Sequence, residues 1–146
     1  MADAPVPFGT PAWAEAFERA INASSEYRNA GARWGVGFNG NLLFVYEVDA
    51  ALPRALHLLV RLSGGRCEGC GWVESARHPD AGFVLRAPFS LWREILEGRT
   101  LAATAILTGK LKAEGDTLRL LKHAGAHRSL IHCAGTVPTE FPGASP

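Results

Sequence analysis

The chain has 146 residues, the length of one ordinary domain, and its 47% hydrophobic and 20% charged residues exclude collagen-like, coiled-coil and acidic disordered proteins. A formal net charge of +1 argues against a dedicated nucleic-acid-binding protein. Because no long apolar run and no secretory signal occur, we expect a cytoplasmic protein without a transmembrane segment.

Proline and glycine are concentrated at both ends of the chain. Residues 1–9 contain two prolines and one glycine, and residues 135–146 contain three prolines and two glycines. Such segments rarely form regular elements. The sequence therefore predicts a single folded domain over residues 10–134, with irregular tails on either side.

Two helices are predicted to open this domain. Thr10 is a good N-cap residue, Pro11 is favoured at the first helical position, and apolar residues then recur at helical spacing as far as Ile21. A pair of serines beginning at Ser24 can cap a second, shorter helix, which we expect to end at Gly31.

The apolar period then changes from that of a helix to that of a strand. Apolar residues from Trp34 to Phe38 alternate with glycines, and the dipeptide Asn39-Gly40 precedes an apolar run over residues 42–48. Asn-Gly is the preferred dipeptide of a two-residue hairpin turn. This pattern predicts a β-hairpin that turns at the Asn-Gly dipeptide.

Three further strands are predicted at residues 56–62, 68–76 and 83–87, separated by turn residues at 63–65 and 78–80. Helices are expected before and after the strands and do not alternate with them. That order is typical of an α+β protein with a mostly antiparallel sheet of about five strands.

The last third of the chain is predicted to be mainly helical. Ser90 is a suitable N-cap for a helix that ends at Gly98. The segment Leu101–Thr108 contains no charged residue, so we expect a helix that is buried on most of its sides. Asp116 can cap a final helix that reaches toward Cys133.

Short motifs in this last third resemble those of a known family. A helix ends at Gly98, a helix of small apolar residues follows, and then come Gly109-Lys110-Leu111-Lys112 and Gly115-Asp116. This order resembles the carboxy-terminal signature of the sterol carrier protein type two family. Residues 13–34 are similar to the helical opening of its small stand-alone bacterial members, and the resemblance covers about residues 12–132.

The resemblance implies a five-stranded sheet with helices on one face and a hydrophobic tunnel between them. Such domains bind sterols, fatty acids, acyl-coenzyme A or other lipids and need no catalytic residues. Small alanines on one wall of an apolar interior would leave room for such a ligand. The residues expected to line the tunnel are Trp72, Phe83, Leu85, Trp92, Leu96, Ala103, Ile106, Leu107, Leu118 and Leu121.

Catalytic, metal and cofactor sites are not indicated. Cys67 and Cys70 form a C-x-x-C pair, which can chelate zinc or act as a redox dithiol. A second ligand pair at zinc-finger spacing is absent, and the nearest candidates are His123 and His127. No nucleophile-elbow, zinc-protease, P-loop or dinucleotide motif occurs. We therefore expect a protein that is not an enzyme and needs no metal or cofactor.

Two functions from different classes are compatible with these observations. The first is non-enzymatic binding or transfer of a fatty acid, acyl-coenzyme A, sterol-like or other apolar ligand. The second is an interaction or dimerisation subunit, or an accessory protein of a lipid-linked biosynthetic enzyme, in which the cavity is vestigial. The sequence leaves open the identity of the lipid and whether the chain forms a homodimer.

Overall fold

Thirteen short elements lie within residues 4–143, which are the residues that the computed structural model describes. Along the chain they are β1 (Val6–Pro7), α1 (Pro11–Ala23), α2 (Ser25–Ala30), β2 (Leu42–Glu47), β3 (Leu56–Ser63), β4 (Arg66–Val73), β5 (Phe83–Pro88), α3 (Phe89–Leu96), α4 (Ala102–Leu107), β6 (Lys112–Glu114), α5 (Thr117–Lys122), α6 (Ala124–Gly135) and β7 (Thr139–Glu140).

Five of the strands form one sheet in the order β4-β3-β2-β5-β6. Strand β2 pairs parallel with β5, whereas the other three neighbouring pairs are antiparallel. The predicted α+β class with a mostly antiparallel five-stranded sheet is confirmed. The single parallel pair arises because β5 returns to the centre of the sheet after the β2-β3-β4 meander.

Strand β2 is buried on both of its faces. Its side chains at Leu42 and Phe44 belong to the large core under the helices, whereas Leu43 and Val45 belong to a smaller cluster on the opposite face. Residues 74–82 cross that opposite face between β4 and β5 and cover it with small alanine side chains. Because a strand buried on both faces has no polar side, its sequence is a continuous apolar run.

The opening helices begin and end where the sequence predicts. The side chain of Thr10 accepts a hydrogen bond from the Trp13 N–H at 3.3 Å, and the side chain of Ser24 accepts one from the Tyr27 N–H at 3.0 Å. Each bond satisfies a backbone donor that the first turn of a helix leaves without an internal partner. Helix α2 ends at the predicted Gly31.

The predicted hairpin at Asn39-Gly40 is wrong. Residues 34–40 form a loop, because Gly35 and Gly37 adopt φ values of +80° and +81°, in the left-handed region that a strand excludes. The loop wraps around the buried indole of Trp34, whose Nε1–H donates a 2.7 Å hydrogen bond to the Gly40 carbonyl. Burial of this tryptophan therefore overrides the local turn signal.

The tight hairpin of the sheet lies instead between β3 and β4. Its two turn residues, Gly64 and Gly65, have φ values of +62° and +86°, and Ser63 pairs with Arg66 across the turn. Positive φ at both central residues is the requirement of a type I′ turn, which glycine meets at no steric cost. The sequence predicts a turn at these residues, and the structure has one there. Strand β3 therefore pairs with β4 through this turn and with β2 on its other side.

Helix α3 is capped from outside its own segment, which corrects the prediction that Ser90 is its N-cap. The helix begins at Phe89, after Pro88, and the Ser90 N–H donates to the Asp49 carboxylate at 2.6 Å. Partial desolvation acts to raise the pKa of Asp49, but hydrogen bonds from Ser90 and from the backbone at Ala51 outweigh it and hold that pKa below its usual value. A residue 41 positions away thus supplies the cap.

The last helices also differ from the prediction. Helix α4 spans only Ala102–Leu107, and its side chains are mostly exposed or half-buried, with Ala105 the fully buried one. Asp116 does cap α5, but the expected single helix is divided at His123 into α5 and α6. The expectation that this uncharged segment is buried on most of its sides is therefore wrong, because α4 lies at the surface beside a cavity.

The ends of the described chain are more ordered than expected. Strands β1 and β7 form a parallel pair, and Phe8 inserts into the aromatic part of the core. The expectation of irregular tails is therefore wrong for residues 6–8 and 139–140, because a buried aromatic side chain anchors one end against the other. Residues 1–3 and 144–146 of the predicted tails lie outside the described residues.

Two glycines of the Trp34 loop provide a matched test of this packing. At Gly35, a Cβ atom would lie 2.5 Å from the Leu62 carbonyl oxygen, whereas at Gly37 it would meet no atom within 4 Å. Gly37→Ala should cost roughly 1–2 kcal/mol, the strain of an L-residue at positive φ. Gly35→Ala should cost roughly 1–3 kcal/mol more, because backbone must move. Equal losses in urea unfolding would contradict the loop structure.

Candidate functional site

A cavity of about 420 Å³ lies between the sheet and helices α3, α4, α5 and α6. Most of its lining side chains are apolar, and the charged side chains among them, Glu97 and Arg128, are exposed. Its lining residues are Leu42, Phe44, Leu85, Trp92, Ile95, Leu96, Glu97, Gly98, Thr100, Leu101, Ala102, Ala103, Ile106, Leu111, Leu120, Leu121, Ala124, His127, Arg128, Leu130, Ile131, His132, Gly135 and Thr136. The volume falls within the range of small-molecule sites.

The sheet forms the floor of the cavity through alternate residues of two neighbouring strands. Leu42 and Phe44 project from β2, and Leu85 projects from β5, where it is the register partner of Phe44. Because side chains two residues apart share a face, this floor is the side of β2 that meets the helices. The parallel pairing of β2 with β5 therefore determines which residues the floor contains.

Trp92 fixes one end of the cavity. Its indole N–H donates a 2.9 Å hydrogen bond to the Val45 carbonyl, and its ring packs edge-to-face on Phe44 with centroids 5.4 Å apart. Burial of a tryptophan requires a partner for its N–H, and here the sheet backbone provides it. The indole is thus held rigidly between α3 and the floor.

Helix α4 leaves space because of its small residues. Ala102 and Ala103 line the cavity, and Ile106, which follows one helical turn after both, lines it as well. On the opposite wall, Leu120 and Leu121 of α5 and residues of α6 complete the enclosure. A void remains because two alanines stand where larger side chains would fill the interior.

Six of the ten residues predicted to line a tunnel lie in the lining of this cavity. They are Leu85, Trp92, Leu96, Ala103, Ile106 and Leu121. They come from β5, α3, α4 and α5, which meet on one side of the sheet.

The other four predicted residues lie elsewhere. Trp72 packs beside α1 and donates its indole N–H to the Thr10 carbonyl at 2.8 Å, and Phe83 packs against Trp34 with ring centroids 5.0 Å apart. Leu107 and Leu118 point outward, with 73% and 72% of their surfaces exposed. Aromatic residues fill the solid part of the core, and these leucines lie beyond the edge of the cavity.

Sequence reasoning missed the contribution of α6 and of the central strand. His127, Arg128 and His132 of α6 line the cavity, as do Leu42 and Phe44 of the floor. Arg128 and His132 are four residues apart in α6, and this spacing was the signal that could have placed them on a common wall.

His127 is the innermost polar side chain of this wall. Its Nε2 is buried and has no hydrogen-bond partner among the residues described, and its ring packs edge-to-face on Trp34 with centroids 4.4 Å apart. Burial, with a smaller contribution from nearby His123, lowers the pKa of His127 to about 4. The imidazole is therefore neutral at neutral pH, and the inner wall of the cavity carries no charge there.

The charges of the site lie at its opening. Glu97 and Arg128 line the cavity and are exposed, so they mark its solvent side. Glu97 is paired with Arg99 and Arg93, and the hydrogen bond from Arg99 is the main cause that lowers its pKa below the usual value. The lining thus changes from apolar and neutral inside to charged at the surface.

The cysteine pair lies away from this cavity, on β4. Cys67 is buried and Cys70 half-buried, and both thiols are free. Burial raises the pKa of Cys67 to about 11 and raises that of Cys70 as well. Thiols with raised pKa values are protonated at neutral pH, which disfavours both metal ligation and nucleophilic attack. Among residues 4–143, no cluster of three or more potential metal ligands occurs.

Residues 36–126 match the model of the SCP-2 sterol transfer family. The chain belongs to this family. The resemblance stated from the sequence is thereby confirmed. Comparison with curated proteins gives no match.

Solved structures of SCP-2 proteins have the same fold. A crystal structure of sterol carrier protein 2 is similar at 32% identity and a TM-score of 0.78, over 89% of this chain and 98% of that one. A solution structure of a Thermus thermophilus protein, described as possibly a sterol carrier protein, is similar at 29% identity and a TM-score of 0.79, over 94% of each chain. A UbiJ-SCP2 ubiquinone synthesis protein is similar in fold at 15% identity and a TM-score of 0.53, over 89% and 93%.

In the part of the chain that the structure describes, no helix is both long enough and apolar enough to cross a bilayer.

The neutral state of His127 predicts a pH-dependent stability. Because its pKa is about 4 in the folded chain and its ordinary value is 6.5, the unfolded chain binds more protons between these values. Stability should therefore fall as the pH falls from about 6.5 to about 4, by up to about 3 kcal/mol from this residue. In urea unfolding at pH 7 and pH 5, His127→Phe should show a smaller difference than the parent protein.

His132→Gln, on the exposed side of the same helix, is the matched control for this measurement. It changes a histidine without changing the buried wall. If His127→Phe keeps the full pH dependence of the parent, the neutral imidazole of the wall is not its source.

Proposed function

We propose that this SCP-2 family chain binds an apolar or lipid-like ligand, without catalysis, in the cavity between the sheet and α3–α6. The observation that carries the proposal is the largely apolar cavity of about 420 Å³ on the helix-covered face of the sheet. We further propose that residues 10–134 form the ligand-binding domain. Membership of the SCP-2 sterol transfer family supports a role in lipid binding or transfer.

The physical chemistry of the cavity is sufficient for such binding. Burial of each methylene group contributes about 0.8 kcal/mol, so an acyl chain of about ten methylenes would gain about 8 kcal/mol before the cost of association. Leu85, Ile106 and Leu121 offer apolar contact along such a chain. Because neutral His127 is the one titratable group deep in the wall among the described lining residues, little desolvation of charge opposes entry of the chain.

The second candidate is an accessory or interaction subunit of a lipid-linked biosynthetic enzyme. The UbiJ-SCP2 ubiquinone synthesis protein shares the fold, but at 15% identity this similarity concerns the fold alone. The open volume of the cavity favours the binding function, because a purely structural subunit gains stability by filling its interior. Native mass spectrometry separates the two: a lipid on the purified chain supports binding, whereas an empty stable dimer supports the subunit function.

Two alanines of α4 provide a matched test of ligand binding. Ala103 lines the cavity and is half-buried, whereas Ala105 is 1% exposed and packs in the core. Ala103→Trp should occupy the space of the ligand and abolish binding in a fluorescent fatty-acid titration. Its cost in stability should be small, because the new side chain enters an existing void.

Ala105→Trp is the control for steric strain. Overpacking of a filled core typically costs about 1–3 kcal/mol, so this variant should lose stability in a thermal melt while Ala103→Trp does not. The proposal fails if the parent protein binds no fatty acid and both variants are equally destabilised, since the interior would then be solid at both positions.

A further inference from the structure

We propose that His127 is a hydrogen-bonding subsite of the cavity, and that the ligand carries a hydroxyl group in its buried part. The substrate class is then a hydroxylated fatty acid, with its ionised head at the opening and its hydroxyl inside. The inference rests on the proposed function and deepens it, because the same cavity holds the ligand. In apolar ligand sites, a small number of polar groups fix the orientation and the specificity of binding.

His127 belongs to the face of α6 that lines the cavity. The lining residues Ala124 and Ile131 lie three positions before it and four positions after it, which is the spacing of one helix face. Arg128 of the same wall is exposed, whereas the ring of His127 lies against the buried ring of Trp34. A polar side chain is therefore held in the inner part of an otherwise apolar wall.

Neither ring nitrogen of His127 has a hydrogen-bond partner within residues 4–143. Its Nε2 is one of two buried side-chain polar atoms that lack a partner in this part of the chain. The second, Ser129 Oγ, lies on the same helix but does not line the cavity. Buried polar atoms without partners are rare in native proteins, and each one needs a specific explanation.

The protein around His127 does not supply the missing partner. The Trp34 ring lies with its centroid 4.4 Å from that of His127, but its Nε1–H already donates to the Gly40 carbonyl at 2.7 Å. Nδ1 of His127 differs from Nε2 in that it is not closed off from solvent. Because His127 lines the cavity, a small polar group inside the cavity can reach this nitrogen.

A neutral hydroxyl is the group that fits this position. Burial keeps the imidazole uncharged at neutral pH, so it offers no counter-charge to a carboxylate or an amine in the interior. A neutral imidazole has one donor and one acceptor nitrogen, and a hydroxyl can both donate and accept, so it fits either tautomer. The carboxylate of the same ligand finds positive charge at the opening, where Arg128 is exposed and forms no ion pair with any residue between 4 and 143.

A plain acyl chain would leave His127 less well satisfied than water does. Its methylene groups would displace water from Nδ1 and offer no hydrogen bond in return, which costs the desolvation of a polar atom. A hydroxyl in the same place replaces the bond that the water made. Sites that hydrogen-bond a hydroxyl reject analogues without it, because their own polar groups are then unpaired. His127 therefore makes the cavity selective for a hydroxylated chain.

The experiment measures the affinity of dodecanoate and of its derivatives hydroxylated at mid-chain or at the terminal carbon, by displacement of a fluorescent fatty acid. The parent should bind one of the hydroxylated acids at least about threefold more tightly than dodecanoate, the net effect of one hydrogen bond. His127→Phe should prefer dodecanoate, because the hydroxyl is then buried without a partner. The ratio of the two affinities should change at least about tenfold between the proteins, whatever general loss of binding the substitution causes.

Two further variants serve as matched controls. His123 packs on the same tryptophan ring, with centroids 5.3 Å apart, but does not line the cavity, so His123→Phe should keep the preference of the parent. Asparagine places a polar atom about as far from the backbone as Nδ1, so His127→Asn should restore a preference that His127→Phe lacks. Thermal melts check that each variant is folded. An unchanged preference in His127→Phe, or an equal loss in His123→Phe, would overturn the proposal.

Imidazole nitrogen chemical shifts provide a readout that does not depend on affinity. The His127 ring nitrogens should differ between the parent saturated with the preferred hydroxylated acid and the parent saturated with dodecanoate, because a hydrogen bond changes the shielding of the nitrogen. The His123 ring, which lies outside the cavity lining, should be the same in both complexes. Identical His127 shifts in the two complexes would contradict the hydroxyl subsite.

Failure of this inference and failure of the proposed function give different results. If the parent binds dodecanoate, but hydroxylation weakens binding equally in the parent and in His127→Phe, the hydroxyl subsite is refuted and the cavity function stands. If the parent binds none of the acids, the cavity function is refuted and the subsite with it.

Discussion

Burial of strand β2 on both faces is the constraint from which the rest of the structure follows. Because Leu43 and Val45 cannot face water, residues 74–82 must cross the back of the sheet, and that crossing brings β5 parallel to β2. An exposed ion pair between Arg61 and Asp80 at 2.8 Å joins the crossing segment to β3. The other face of β2 then requires helices, and these enclose the cavity.

The helix-covered face is solid at one side and hollow at the other because the two sides receive different residues. Toward β4, the core is filled by rings such as Phe8, Trp13 and Trp72, whose centroids lie 4.9–6.0 Å apart. Toward β5, α4 contributes mainly alanines, and the space is not filled. Trp92 lies at the boundary, in contact with the aromatic cluster through Tyr46 and with the cavity through its other side. A large aromatic half thus stabilises a fold whose other half remains open.

The sequence predicted those features that depend on neighbours along the chain and missed those that depend on distant ones. Thr10 and Asp116 cap helices by bonds to residues three positions away, and such bonds can be read locally. The cap of α3 comes from Asp49, and the Asn39-Gly40 dipeptide is diverted by burial of Trp34, neither of which a local pattern contains. In each case tertiary contacts outweigh a propensity of about 1 kcal/mol.

The candidate site follows the same rule. Ala103 and Ile106 of the uncharged segment line the cavity, but hydrophobicity alone could not separate Trp72 or Phe83, which fill the solid core, from residues of the cavity. Large aromatic side chains were natural candidates for contact with an apolar ligand. The structure shows that the alanines indicate the cavity better, because empty space arises where side chains are small.

The electrostatics of the cavity determine how an amphiphile would lie within it. Inside, burial keeps His127 neutral, so a charged headgroup would find no counter-charge there to offset its desolvation. At the opening, Arg128 offers a positive charge and Glu97 a negative one that is already paired with Arg99. An acyl chain with an anionic head would therefore bury its tail against Leu85 and leave its head at the surface. The neutral interior and the charged opening would therefore give a bound amphiphile one favoured orientation, with its tail inside and its head at the surface.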